Sequence, residues 1–338
     1  MKYKEALVID ETTLGTRDSK GMWVPNRRCD FGPLFARPTR LVSIVRWFVR
    51  DYLISMHLLY FAVAWAVWTW ATPSRETMAQ LAPGWMLVVL GRNLLVVIAW
   101  FGAWHLRLYR RQAQGTATKY NAKFPQNSQR FTFGSQLKDN VLWSLASGVP
   151  IATAFEVIGL WLFSSGRIAW LEWTQHRVAI VAIALLIPIW RELHFYAIHR
   201  LIHTAPLYPR VHALHHRNTN PGPWSGLAMH PLEHVAYFSA MAIHWVVASH
   251  PVHMIFNQMH LIMAPVPGHS GFEVVDLGRG SFDTHGYAHY LHHKYFEVNY
   301  SDGVVPLDRW FGSFHDGSPD ALKNLRSKRS ISVAGNTQ

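Results

Sequence analysis

Cysteine is almost missing from this chain: Cys29 is the only one in 338 residues. One thiol rules out a disulfide framework, a four-cysteine zinc site and a cysteine-ligated iron–sulfur cluster within one chain. It fits a reducing, cytosol-facing location. Charge is scarce as well, at 15% of residues, and Asp and Glu number 20 against 32 Lys and Arg. The first forty residues contain no apolar run of signal-peptide type, so no cleavable leader is expected. Internal repeats and low-complexity tracts are also lacking.

Apolar surface is what the chain has in excess. Half of it is hydrophobic and 16 residues are Trp, a composition typical of a protein that spends part of its length in lipid. The formal charge of +12 would suit nucleic acid. The basic residues, however, stand beside apolar runs, which points to an anionic membrane surface and to no nucleic-acid partner.

Leu41, Ile44, Val45 and Phe48 fall at helical spacing with Arg46 and Arg50 off the stripe, as in an interfacial helix. Four spans follow, about 53–70, 85–104, 141–163, and one from near Leu171 or Val178, judged against the roughly 20 apolar residues a crossing needs. Residues 235–264 are apolar but interrupted by Ser249, His250 and Pro251, so a re-entrant or interfacial helical hairpin is expected there. Arg92 and Glu156 lie inside spans and should pair within the bundle. Lys and Arg number ten in residues 1–50 and seven in 105–140, against one in 71–84 and two in 164–177. The positive-inside rule then makes this an integral membrane protein with both termini and the region after the fourth span in the cytosol.

The expected fold is an all-α membrane protein: about four transmembrane helices, the hairpin, and a cytosolic histidine-rich helical cap. Its divisions are a poorly ordered N-terminus (1–37), interfacial and transmembrane helices (38–190), a histidine-rich catalytic region (191–317) and a basic flexible tail (318–338).

Seventeen of the 21 histidines lie between His194 and His293. His199 and His203 are four apart, on one face of a continuing helix. His212, His215 and His216 follow as HALHH, and His289, His292 and His293 repeat the device as HYLHH. Eight imidazoles exceed the four protein ligands that one zinc uses; they suit two metals, each with an open position. Spacing alone leaves open a non-catalytic metal-binding membrane protein, with a structural zinc site or a role in transport. An all-nitrogen ligand set does not choose iron over zinc.

HRLIH, HALHH and HYLHH in this order resemble the fatty acid hydroxylase and sterol desaturase superfamily of membrane non-haem di-iron enzymes. Glu192 and Tyr196 before HR, HPLE at 230–233, HSG at 269–271, NYSDG and DRWFG at 308–312 carry the same resemblance, which covers about residues 185–315. It implies a ligand set of His199, His203, His212, His215, His216, His269, His289, His292 and His293. His230 and His285 are implied as ligands or as supports of ligands, and Asp283, Glu192 and Asp308 as groups that fix imidazole tautomers. Glu233 and Tyr196 are the candidate catalytic side chains. His194, His234 and His260 carry little expectation of a metal role, and His244, His250 and His253 should be satisfied locally.

The implied chemistry is O2-dependent hydroxylation or desaturation at an unactivated C–H bond of a membrane lipid, on two iron ions that zinc could replace in purified protein. Two electrons per turnover must come from outside. The chain has neither a Gly-rich dinucleotide fingerprint nor the HPGG motif of a fused haem domain. A ferredoxin or cytochrome b5-type donor with its reductase is therefore expected to dock on basic segments, Arg107, Arg110, Arg111, Lys119 and Lys123 or Lys323, Arg326, Lys328 and Arg329.

Overall fold

A computed structural model describes residues 9–26, 29, 32–35, 38, 40–53 and 56–335. Part of the stretch expected to be poorly ordered is structured. Helix α1 (Glu11–Leu14) leads into an antiparallel hairpin of β1 (Gly15–Arg17) and β2 (Trp23–Pro25). Asp18 turns the hairpin by accepting from the Lys20 and Met22 amides, and Gly21 supplies a positive φ of 73°. Trp23 anchors it, buried with Tyr120, Tyr287 and Tyr290. The rest of the expectation, for residues 1–8, 27–28, 30–31 and 36–37, lies outside the described residues.

The chain is an all-α membrane protein. Helices α2 (Leu41–Leu53) and α3 (Met56–Ala71) meet at a 42° bend and together pass as one membrane span. Three further helices are long and apolar enough to cross: α4 (Pro83–Arg110), α5 (Gln136–Ser164) and α6 (Trp173–Ile202). The three long helices alone make three spans, and with the bent pair counted as one they make the four read from hydropathy. Helix α5 loosens into a wide π turn at Ser144–Gly148, just before Pro150, which has no N–H to return to the preceding turn.

Arg92 of α4 and Glu156 of α5 pair at 2.5 Å inside the bundle. Asn93 joins them, donating to Glu156 at 2.8 Å and to Thr153 at 3.0 Å. An unpaired charge at this depth would be expensive; the network leaves neither charge alone.

The apolar stretch after the spans folds as two short arms. The first is α7 (Pro231–Phe238), prolonged by 3-10 and α turns to Val246. The second is α8 (Pro251–Met263), which begins at the Ser249–Pro251 interruption and is buried along its whole length. It packs among α3, α5 and α6, in the middle of the bundle and not along an interface. A small hairpin of β3 (Val274–Asp276) and β4 (Ser281–Asp283) precedes α9 (Tyr287–Tyr295).

The segment expected to be a flexible tail is α10 (Pro319–Gly335). Ser318 accepts from the Ala321 amide at its start, Leu325 is buried, and Arg329 bonds to Glu297 and to the Tyr295 carbonyl. Residues 336–338 of that expectation lie outside the described residues.

Candidate metal centre

Four segments converge just past the end of α6. His199 lies in the last turn of α6 and His203 caps it. The chain then forms a π turn, Tyr208–His212, and a 3-10 turn, His215–Arg217. HALHH is thus not one regular helix, as its spacing allowed. His269 follows a proline-bounded turn, Pro265–Gly268, and His289, His292 and His293 stand on α9.

All nine histidines of the expected set come together, in two groups. His199, His203, His212, His216 and His292 each offer a ring nitrogen to one group, and His215, His269, His289 and His293 to the other; within each group these atoms lie within 4.8 Å of one another. The two HxxHH motifs are split between the groups. His212 and His216 serve the first while His215 serves the second, and on α9 His289 and His293 serve the second while His292 serves the first. Adjacent histidines therefore tie the groups together. Rings His215–His293 and His216–His293 stand 4.7 and 5.0 Å apart.

Hydrogen bonding decides which nitrogen is free. Carbonyl oxygens only accept, so an Nδ1 bonded to one must carry the proton. His199 donates in this way to Tyr300 and His292 to Val298, both at 2.7 Å; His269 donates to Pro265 at 2.8 Å and His215 to Ala228 at 3.3 Å. His212 Nδ1 stands 2.6 Å from the Glu233 carboxylate. In each of the four carbonyl-bound rings Nε2 is then a bare lone pair. Yet His215 and His269 point these Nε2 atoms at one another across 3.3 Å, and the His199 Nε2 points at the His212 Nε2 across 3.2 Å. Lone pairs facing each other repel unless a cation lies between them. The donor set fits two metal ions of the borderline class that imidazole prefers.

Burial acts in the same direction. It holds His212, His215, His216, His289, His292 and His293 well below the ordinary histidine range, with neighbouring imidazoles adding to the effect, and brings His269 down to about 4. Neutral imidazole is the form that binds metal.

Other expected site residues stand elsewhere. His230 caps α7, its Nδ1 accepting from the Leu232 amide, and is in neither group. His285 is exposed, has a positive φ of 51° and faces Asp283 at 3.4 Å; a turn after β4 carries both away from the imidazoles. Glu192 and Asp308 accept from backbone amides of residues 300–305 and touch no imidazole of either group. Tyr196 packs with Tyr300, Val305 and Leu307 and stacks on Phe311, on the far side of that loop. Glu233 alone among the expected carboxylates meets a clustered histidine. The supports that sequence reading missed are main-chain carbonyls at Ala228, Pro265, Val298 and Tyr300. Every residue has a carbonyl, so only the nearby Pro265 and the NYSDG loop hinted at their place.

A family model described as fatty acid hydroxylase matches residues 184–313. A Delta(7)-sterol 5(6)-desaturase of Aspergillus fumigatus is 29% identical over 46% of this chain and 58% of its own length. A Delta(7)-sterol-C5(6)-desaturase of Nicotiana tabacum is 26% identical over 73% of this chain and 89% of its own. Lathosterol oxidase of Mus musculus is 27% identical over 48% and 56%. The chain spans about half the length of the first two curated relatives it matches, 58% and 42%. No solved structure matches it.

Proposed function

We propose that the chain, as a member of the fatty acid hydroxylase and sterol desaturase superfamily, is a membrane-bound oxidoreductase that uses O2 to hydroxylate or desaturate a lipid, a sterol or a fatty acyl chain. The observation that carries this reading is the pair of adjoining imidazole groups whose lone pairs face each other.

Two iron ions, when bound, would supply reductive activation of O2 with two external electrons. The nine histidines would hold them, five on one ion and four on the other. The protein's own part is placement. The four carbonyls and Glu233 keep the proton on Nδ1 and so direct Nε2 inward. Phe195 packs on the His199 ring and Tyr237 packs edge-on against Phe195, which gives this side of the centre an apolar wall. A lipid arriving sideways from the bilayer would present one carbon to the centre. Hydroxylation puts one oxygen atom on that carbon and releases one water; desaturation takes two hydrogens from the lipid and releases two waters. Either consumes two protons and two electrons.

The cytosolic side is our assignment for the centre and both termini, supported by the distribution of Lys and Arg. The electrons would come from a ferredoxin or cytochrome b5-type carrier. Of the basic residues expected to receive it, Lys119 does not reach the surface. It is buried, its Nζ bonded to the Asn121 and Lys123 carbonyls and to Asn220. Arg107 is half-buried and donates to the Asp276 carbonyl. Arg110, Arg111, Lys123, Lys323, Arg326, Lys328 and Arg329 are exposed and form the surface we assign to an acidic donor or to anionic lipid headgroups. Donor-supported turnover should fall with added salt, because exposed charges are screened beyond roughly 8 Å at physiological ionic strength.

Lipid analysis of a host making the wild-type chain, compared with one making His292→Ala, tests the function. A new hydroxylated or desaturated lipid should appear only with the wild type. Two bound metals without any lipid product would favour a non-catalytic metal protein.

A further inference from the structure

The two imidazole groups take their hydrogen-bond acceptors from different parts of the chain. The four-histidine group uses the carbonyls of Ala228 and Pro265. In the five-histidine group His199 and His292 donate to Tyr300 and Val298, two residues apart on one irregular loop. Its backbone is unusual, with φ of +69° at Phe296 and +53° at Asn299.

Three carboxylates are committed to this loop. Asp308 accepts from the amides of Tyr300 and Ser301 at 2.9 and 2.7 Å, and from the hydroxyls of Ser301 and Ser313 at 2.6 Å each. Glu192, seven residues before His199 on α6, accepts from the amides of Val304 and Val305 at 2.8 Å each. Arg191, beside it, grips Asp302 through both terminal nitrogens at 2.9 and 3.1 Å. Gly303 lies flat against the Glu192 carboxylate, where a Cβ would collide with it. Glu192 and Asp308 are buried, and burying carboxylates is costly unless their bonds are well made. Here every bond goes to the loop that orients two imidazoles or, for one bond of Asp308, to Ser313 just beyond it, and none goes to an imidazole.

We propose that Glu192, Asp308 and the Arg191–Asp302 pair are positioning residues that clamp the 298–308 loop for the five-histidine centre alone. Loosening the clamp then releases the metal there and leaves the four-histidine centre filled. The inference rests on the two-metal reading above.

The test uses the full chain in detergent, loaded with iron(II) alone or zinc(II) alone, and counts metal per chain after timed exposure to a chelator. In Glu192→Gln one amide NH2 must face a backbone N–H, so the clamp loosens with little change in volume. Ser313→Ala removes a single bond to Asp308 and serves as a mild variant if Glu192→Gln folds poorly. Wild type should keep two metals. Glu192→Gln should fall to one, with about a ten- to hundredfold weaker hold on the lost ion, and Ser313→Ala should lose the same ion to a smaller extent. Adding His199→Ala to Glu192→Gln should then change little, whereas adding His215→Ala should bring the count toward zero. Retention of both metals in both variants, or their loss in parallel, would overturn the clamp. Fewer than two metals in the wild type would instead defeat the two-metal reading.

Discussion

Two sets of histidine in this protein differ in what their ring nitrogens meet. His234, His244 and His253 each have one donor and one acceptor. The His234 Nε2 donates to the Leu227 carbonyl while Nδ1 accepts from Ser147. Asn257 donates to His244 Nε2, which leaves Nδ1 to donate to Ser249. His253 Nε2 donates to the Ile180 carbonyl and Nδ1 accepts from the His250 amide. Each is a complete neutral imidazole. In the clustered set the count does not close, because the unprotonated Nε2 atoms of His215 and His269 are aimed at each other. Burial does not separate the two sets; the facing lone pairs do.

The comparison breaks most sharply at the centre. His215→Ala and His292→Ala remove one nitrogen from different groups, so either should abolish turnover and lower metal content while membrane insertion stays intact. Metal analysis of purified protein together with lipid product reads both. Full activity of the double variant would falsify the metal assignment.

A second break concerns buried polar groups that hold the fold and nothing else. Glu156→Gln leaves Arg92 charged without its partner and should destabilise the chain by about 3–5 kcal/mol, seen as a lower melting temperature in detergent. Adding Arg92→Met should recover most of the loss, since an apolar pair of similar volume costs no desolvation. Metal content per folded chain should not move in either. A coupled loss of metal would mean that the Arg92 network reaches the centre.

Glu233 sharpens the comparison from within the cluster. It is the carboxylate behind His212, at 2.6 Å, where the other supports are carbonyls. Glu233→Gln should weaken metal binding by about ten- to a hundredfold and keep the fold. Chelator competition measures it, and an unchanged affinity would reduce Glu233 to a capping role in α7.

What the sequence made legible follows from range. Spans and their intruding charges are local patterns, and they stand where hydropathy put them. The nine histidines were legible because short helical spacings bring imidazoles together, with His269 added by family resemblance. Their division into five and four was not. It depends on a π turn at Tyr208–His212 and on how α9 is rotated against it, which no spacing reveals. Asp283 and His285 illustrate the converse: proximity to HYLHH along the chain suggested a role, and the β4 turn points them to solvent. The N-terminal hairpin escaped notice because its one strong anchor, Trp23, finds its partners about a hundred and more residues away, at Tyr120, Tyr287 and Tyr290.

The smallest effects should come from the satisfied histidines, and they complete the comparison. Glutamine can replace one donor and one acceptor of an imidazole, though not at the same reach. His234→Gln, His244→Gln and His253→Gln should therefore each cost about one hydrogen bond, on the order of 1 kcal/mol. None should alter metal stoichiometry, because none contributes a lone pair to either group. His234 is the stringent case: it directly follows Glu233, and its ring stands against Gly148 in the π turn of α5. If His234→Gln loses metal while His244→Gln and His253→Gln keep it, the packing of α7 on α5 is part of what places Glu233 behind His212. If all three keep two metals and melt slightly lower, histidine burial and metal binding are separate properties here.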